Sequence, residues 1–338
     1  MGVFDLLFWR ELFPLHVVIV FVFGAMMGSF FNVCIYRLPR GRSINRPRRS
    51  FCPACGTTIA WYDNIPLFSY PALEGLCRHC GARISSRYFW IELLTAVLFT
   101  VVFVVHGYAL ATPLFLLLTG FLVVSTFTDL DHWIIPDSIS LGGMAVGLAA
   151  ALAISLCAAA GYARPDFDGS LYVVYPFRQM GAWRVFFNAA CGAAFGFLLL
   201  WTIGVLGTLA FRKEAMGMGD MKLFACIGAF LGWQACVVVL ALASFLGATI
   251  GLSLLSAQWI CRKLGLSPAG DKPGVSSLKT PQTDQPRPAA AAPDRPRGRQ
   301  LHHLPFGPYI AVAAYVVMLY FNEIMDWMTR TFLFIDAF

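Results

Sequence analysis

Residues 14–36 read PLHVVIVFVFGAMMGSFFNVCIY, and residues 37–49 continue RLPRGRSINRPRR. The first run carries no Asp, Glu, Lys or Arg over 23 residues. At ~1.5 Å of rise per residue that is enough helix to cross a ~30 Å hydrocarbon core. The arginines behind it form a stop-transfer cluster, and the flank ahead of it is acidic and apolar. The run therefore reads as a retained membrane span and not as a removable signal peptide.

Working outward, the same pattern repeats. Hydrophobic residues make up 58% of the 338-residue chain and charged residues 13%, with a mean hydropathy of +0.69. A soluble domain carries roughly 25% charged residues. Long apolar runs fall at approximately 14–36, 89–106, 112–128, 138–160, 184–210, 221–233, 235–261 and 306–323. They predict an all-α polytopic membrane protein with about eight transmembrane helices. If loops alternate sides, 19 of the 25 Lys and Arg residues collect on one side. The positive-inside rule makes that side cytoplasmic and puts both termini outside it. The net charge of +7 is thus a topology signal and not a nucleic-acid footprint. The bilayer is the expected partner.

The spans divide the chain into a first helix (1–36), a polar cysteine-bearing loop domain (37–88), a transmembrane core (89–264), a cytoplasmic insertion (265–303) and a last span with its tail (304–338). The 265–303 insertion is rich in Pro, Ala and Arg and has little apolar surface to bury, which predicts disorder. A further insertion, about 161–183, faces the other side with interfacial aromatics. The sixth run is too short to cross untilted, so it must sit among other helices or line a polar cavity.

Acidic groups at a membrane edge need a reason to be there. The third span ends in TFTDLDHWIIPD (126–137), which brings Asp129, Asp131 and Asp137 together. The sixth begins MGMGDMK (216–222), with Asp220 behind Gly217 and Gly219. Topology puts both groups on the cytoplasmic side although 91 residues separate Asp129 from Asp220. Two facing carboxylates can share one proton, one acting as base toward a water and the other as acid toward the carbonyl or leaving amine. The bland alternative is that these are interfacial acids or helix caps. Asp137 reads as a cap, and Asp131 as either a supporting group or a solvated acid. Lys222 is open between tuning the pair, touching substrate and snorkelling.

DLDHWIIPD (129–137) and GMGD (217–220), the latter continued by KLFACIGAFLGW, resemble the two signatures of the type IV prepilin peptidases, in the GxGD group of intramembrane aspartic proteases. GSFFNVCIYRLPR (28–40), WYDNIPLFSY (61–70) and LPFGPYI (304–310) resemble further stretches of that family. The chain departs from it in having Tyr88-Phe89 where Tyr-Pro is usual and in its long Pro/Ala-rich insertion. The resemblance implies that Asp129 and Asp220 are the catalytic pair, with Asp131, Gly217, Gly219 and Lys222 in support. It implies cleavage of prepilin or pseudopilin leaders after glycine at the cytoplasmic face of a bacterial inner membrane. For members with a four-cysteine loop it also implies N-methylation of the new N-terminus by S-adenosylmethionine. No glycine-rich nucleotide fingerprint shows that second activity independently. Glu92, inside the second span, is a candidate for the methylation site, for holding the substrate's N-terminus, or for anchoring a helix.

The cysteines carry their own signal. Cys52-x2-Cys55 and Cys77-x2-Cys80, each followed by glycine, have the knuckle spacing of a tetrahedral thiolate Zn²⁺ site. Four thiolates close the coordination sphere, so the metal would be structural. The other six cysteines lie in apolar spans and read as packing residues. There is no HExxH and no GxS nucleophile motif for a metallo- or serine protease. Two rival classes remain. A transporter would place its acids at the midplane and not at the edge. A non-catalytic zinc-module assembly protein would tolerate loss of Asp129 and Asp220.

Overall fold

The computed structural model describes residues 3–162, 181–212, 216–263 and 305–332. Expectations for residues 163–180 and 265–303, and for Lys213, lie outside them. The described residues form α1 (Val3–Arg37), a single turn α2 (Ser69–Ala72), α3 (Arg87–His106), α4 (Thr112–His132), α5 (Asp137–Ala159), α6 (Arg184–Phe211), α7 (Met218–Leu231), α8 (Trp233–Lys263) and α9 (Gly307–Phe332). Two isolated antiparallel bridges in the cysteine module are the only strand-like pairings among them. Among the described residues, six helices are long and apolar enough to cross a membrane: α1, α3, α4, α5, α6 and α8. The apolar part of α9, Gly307–Tyr320, and the 14-residue α7 are shorter. The chain is a multi-pass, all-α membrane protein.

Contacts divide the chain into two units, one of Met1–Ser244 with Pro305–Phe338 and the other Phe245–Leu304. The first contains every residue discussed below. The described part of the second is the C-terminal stretch of α8, where the Lys263 ammonium sits 4.0 Å from the Trp259 ring centroid.

At the centre of the first unit lies the shortest apolar helix. Every residue from Leu223 to Leu231 of α7 is buried. A helix apolar all round is stable only when surrounded, and α7 packs against α4, α5, α6 and α9. At ~21 Å it need not span the bilayer, because its neighbours do. Its contact with α6 depends on Gly192 and Gly228, since a Cβ on either would collide with the other's carbonyl. Such small-residue contacts let backbones approach where lipid gives no hydrophobic drive. The outer surface is apolar too. Leu15, Val18, Ile19, Val22, Met26 and Phe30 form an exposed stripe on α1, the face a bilayer would cover.

Two helix boundaries differ from the hydropathy reading, and both bear on the acids. α4 continues to His132, so Asp129 and Asp131 are helical residues and do not lie beyond the helix end. It stops where Trp133 adopts a left-handed conformation (φ 58°) and donates its N–H to the Asp129 carbonyl at 2.9 Å. α7 begins at Met218, which puts Asp220 in its first turn behind the extended N-cap Gly217.

Candidate active site

Three helix ends converge on the acids: the last turn of α4, the first turn of α7 and the first residue of α9. Asp129 is buried (7% exposed); its Oδ2 makes no hydrogen bond of good geometry, and the nearest donor to the carboxylate is the Gly307 backbone N–H at the start of α9. A buried carboxylate held by so few donors is costly at a membrane edge. Asp220 is half-buried and lies within electrostatic reach of Asp129. The fold therefore brings together the two aspartates that the sequence singled out.

Side chains without charge shape the space between them. A Cβ placed on Gly307 would lie 2.5 Å from Asp129 Oδ2, so any larger residue at the start of α9 would push this carboxylate aside. Ile135, buried in the turn after α4, reaches toward both neighbouring helix starts. Its Cβ is 3.2 Å from where a Gly219 Cβ would stand, and its Cδ1 is 3.4 Å from the corresponding point at Gly307. The turn thus wedges Ile135 between α7 and α9 and holds their glycine-bearing ends beside the acids. Gly217 is different: a Cβ there would meet only Asp220 Oδ2, at 3.7 Å. The left-handed Trp133 at the head of this turn costs ~1–2 kcal/mol for a residue with a Cβ, a strain of the kind that gathers at functional sites.

The remaining charged residues pair off. Asp131 accepts from Arg87 Nη1 at 2.6 Å, joining the end of α4 to the start of α3. Lys222 Nζ donates to Asp137 Oδ1 at 2.6 Å, so the lysine's polar partner is Asp137 and not the central pair. Asp137 occupies the first turn of α5 behind Pro136 and makes no side-chain cap bond to its own helix. Its role as an N-terminal charge is retained, and Lys222 is its partner. Glu92 Oε2 accepts the Leu67 N–H at 2.8 Å, tying the cysteine module to α3.

The cysteine module is built from two copies of one turn. Cys52 N–H bonds the Thr57 carbonyl and Gly56 N–H the Cys52 carbonyl (2.9 and 2.8 Å); Cys77–Ala82 and Gly81–Cys77 repeat the pattern (2.9 and 2.9 Å). Gly56 and Gly81 both have positive φ (73° and 66°), which is why each knuckle ends in glycine. The four Sγ atoms lie within 4.8 Å of one another, and Cys52 and Cys80 Sγ are 3.9 Å apart. A tetrahedral thiolate site with Zn–S of ~2.3 Å needs a separation of ~3.8 Å, so the residues fit Zn²⁺. Hydrogen bonding with the Thr57 hydroxyl and backbone holds the Cys55 thiol down to about 6, while burial and the neighbouring thiols push Cys80 up to about 11. Asp63, from the WYDN stretch, binds Arg78 of the second knuckle bidentately (2.6 and 2.8 Å), and this guanidinium keeps its carboxyl below the usual carboxylate range. Of the other cysteines, Cys34, Cys226 and Cys236 are buried, whereas Cys157 and Cys191 are exposed on the apolar surface.

Two family models match the chain. Residues 22–106 match the bacterial peptidase A24 N-terminal domain, and residues 116–252 match the type IV leader peptidase family. The chain is 35% identical to the prepilin leader peptidase/N-methyltransferase of Myxococcus xanthus over 94% of its own length and 92% of the relative's. It is 32% identical to the Aeromonas hydrophila protein of the same name over 94% and 96%. With the Klebsiella pneumoniae protein, also of that name, it shares 37% identity over 67% and 89%. No solved structure gives a significant match. The first matched domain contains the four-cysteine module, the second contains both aspartates, and the chain belongs to the type IV leader peptidase family.

Proposed function

We propose that this protein cleaves the leader from type IV prepilins or type II secretion pseudopilins behind a glycine, at the cytoplasmic face of a bacterial inner membrane, and then N-methylates the new N-terminus. The observation that carries the reading is the meeting of Asp129 and Asp220 across 91 residues of sequence. The names of the relatives support both activities. The substrate's apolar N-terminal helix lies in the bilayer, which brings the scissile bond to the membrane edge. One carboxylate, ionised, takes a proton from water as the oxygen attacks the carbonyl carbon. The other, protonated, donates to the carbonyl oxygen, and the amine departs once it is protonated in turn. Both acids stand at helix ends and not in mid-helix, which suits an edge-cutting peptidase better than a midplane carrier.

In this reading residues 37–88 are a zinc-stapled module, 89–264 contain the peptidase core, and Cys52, Cys55, Cys77 and Cys80 hold the metal. Asp131 orients Arg87, and Lys222 acts through Asp137. S-adenosylmethionine, when bound, supplies the methyl group for the amine that cleavage exposes. The test is prepilin cleavage by Asp129→Asn and Asp220→Asn in detergent, read by mass spectrometry. Each substitution should lower the rate by at least roughly 10²–10⁴-fold, with zinc content unchanged. Cleavage by both variants at the wild-type rate would make the acids structural.

A further inference from the structure

A cavity of about 360 Å³ lies between the arginine-bearing end of α1 and the loop that follows it. Its polar lining is Arg37, Asn45, Arg48 and Ser50, its apolar lining is Phe30, Val33 and Ile44, and no Asp or Glu is among them. Val33, Arg37 and Ser50 also line a larger cavity on the side of the cysteine module, where Asp63 and Glu92 stand. The smaller cavity is basic without a counter-charge. Arg37 builds it: this residue is 5% exposed, and its Nη1 donates to the carbonyls of Ser43, Ile44 and Pro47 at 3.4, 2.6 and 2.9 Å. The loop backbone is thereby wrapped around a guanidinium whose charge these carbonyls leave in place. Arg48 is exposed, and none of the ion pairs among the described residues involves it.

Helix geometry connects the cavity to the hydrocarbon. Phe30, Val33 and Arg37 follow one another at i, i+3 and i+7, so they share a face of α1. Farther back on that face come Met26, Val22 and Ile19, all exposed like Phe30. From Ile19 to Phe30 the helix rises ~16 Å, close to one leaflet of a ~30 Å hydrocarbon core. An apolar track the length of an acyl chain thus ends in a basic pocket. We infer that this pocket holds the phosphate head group of an anionic phospholipid, with an acyl chain laid along the exposed track of α1. Guanidinium groups meet phosphate oxygens in a planar fork, and Asn45 and Ser50 add neutral donors. Basic pockets at the membrane end of a helix are where such head groups collect. A stop-transfer cluster alone would leave its arginines equivalent, but here Arg48 lines the cavity and Arg49 does not. The inference stands apart from the peptidase reading, since it uses neither aspartate and none of the four thiols.

The experiment is native mass spectrometry of the full-length protein in detergent, titrated with phosphatidylglycerol, with phosphatidylcholine and with glycerol phosphate. One phosphatidylglycerol should bind in preference to phosphatidylcholine, and glycerol phosphate at equal concentration should not displace it. Arg48→Gln should weaken that binding by roughly fivefold or more. Arg49→Gln removes the same charge one residue away and should stay within about twofold of wild type. Circular dichroism checks that the helices of each variant are intact. Asn45→Ala, which keeps every arginine, should also weaken binding and decides the matter if Arg48→Gln fails to fold. Equal losses in the two arginine variants would mean diffuse charge and overturn the pocket. Failure to bind phosphatidylglycerol, equal binding of phosphatidylcholine, or displacement by glycerol phosphate overturns the anionic-lipid assignment.

Discussion

Gly307→Ala is the sharpest test of the proposed centre, because it alters no charged group and no group able to carry a proton. The added Cβ would stand 2.5 Å from Asp129 Oδ2 and 3.2 Å from its Cγ, where ordinary contact begins at 3.4 Å. Relief requires the carboxylate to move by about 0.9 Å or to leave its rotamer well. Displacing a catalytic group by ~1 Å costs on the order of 10²-fold in rate, or about 2.7 kcal/mol of transition-state stabilisation. Backbone effects run the other way: Gly307 opens α9 without a positive φ, so alanine should favour the helix by ~0.5–1 kcal/mol. The assay is single-turnover leader cleavage with saturating enzyme, with thermal unfolding and zinc content measured on the same sample. A stable, zinc-loaded variant that has lost roughly 100-fold in rate is the expected result. If that variant cuts within about threefold of wild type, Asp129 does not act from the position described here.

The same geometry makes three further predictions. Gly219→Ala should lower both stability (by ~1–3 kcal/mol) and cleavage, because its Cβ would press on Ile135 at 3.2 Å, whereas Gly217→Ala should cleave like wild type in the same assay. Lys222→Met breaks a pair whose side chains are 25% and 62% exposed, so denaturation should register less than ~1 kcal/mol and cleavage should change only a few-fold. Cys77→Ser, or treatment with a strong chelator, should release the metal and open residues 37–88 to limited proteolysis, while the helices keep their circular dichroism.

Much of this was legible in the sequence, for identifiable reasons. Membrane residence and an all-helical architecture follow from long apolar runs, a signal that needs no tertiary information. The four-cysteine cluster was legible because each turn is local: the CxxCG pattern contains two of its thiols and its left-handed glycine. Asp129 and Asp220 stood out because their motifs are short and lie at opposite ends of a topology that brings them together. What the sequence concealed is tertiary. LPFGPYI stood out as a stretch, yet nothing in it announced that Gly307 would touch a carboxylate 178 residues earlier. Ile135 looked like one more apolar residue, and only the meeting of α4, α7 and α9 makes it a wedge. Lys222 and Glu92 had several open readings, and the structure supplies each with a definite partner, Asp137 and the Leu67 N–H. A Gly or Asn signal for the end of α4 was missing because Trp133 takes the left-handed position such a residue would normally fill.

That the acids sit where helices begin and end has a physical logic. A carboxylate in mid-helix would be surrounded by backbone groups already bonded to one another, leaving no donors to meet the charge it carries during turnover. At the first turn of α7 and the first residue of α9, backbone N–H groups are free of intrahelical partners and the helix dipoles present their positive ends. The same ends are where a peptide substrate can be accommodated in extended form, since its own amides must find partners outside a regular helix. α7 can be short because it has two tasks, filling the core and presenting Asp220, and neither requires it to cross the membrane. Under the proposed mechanism the short α7 suffices, because it has only to present Asp220 in its first turn.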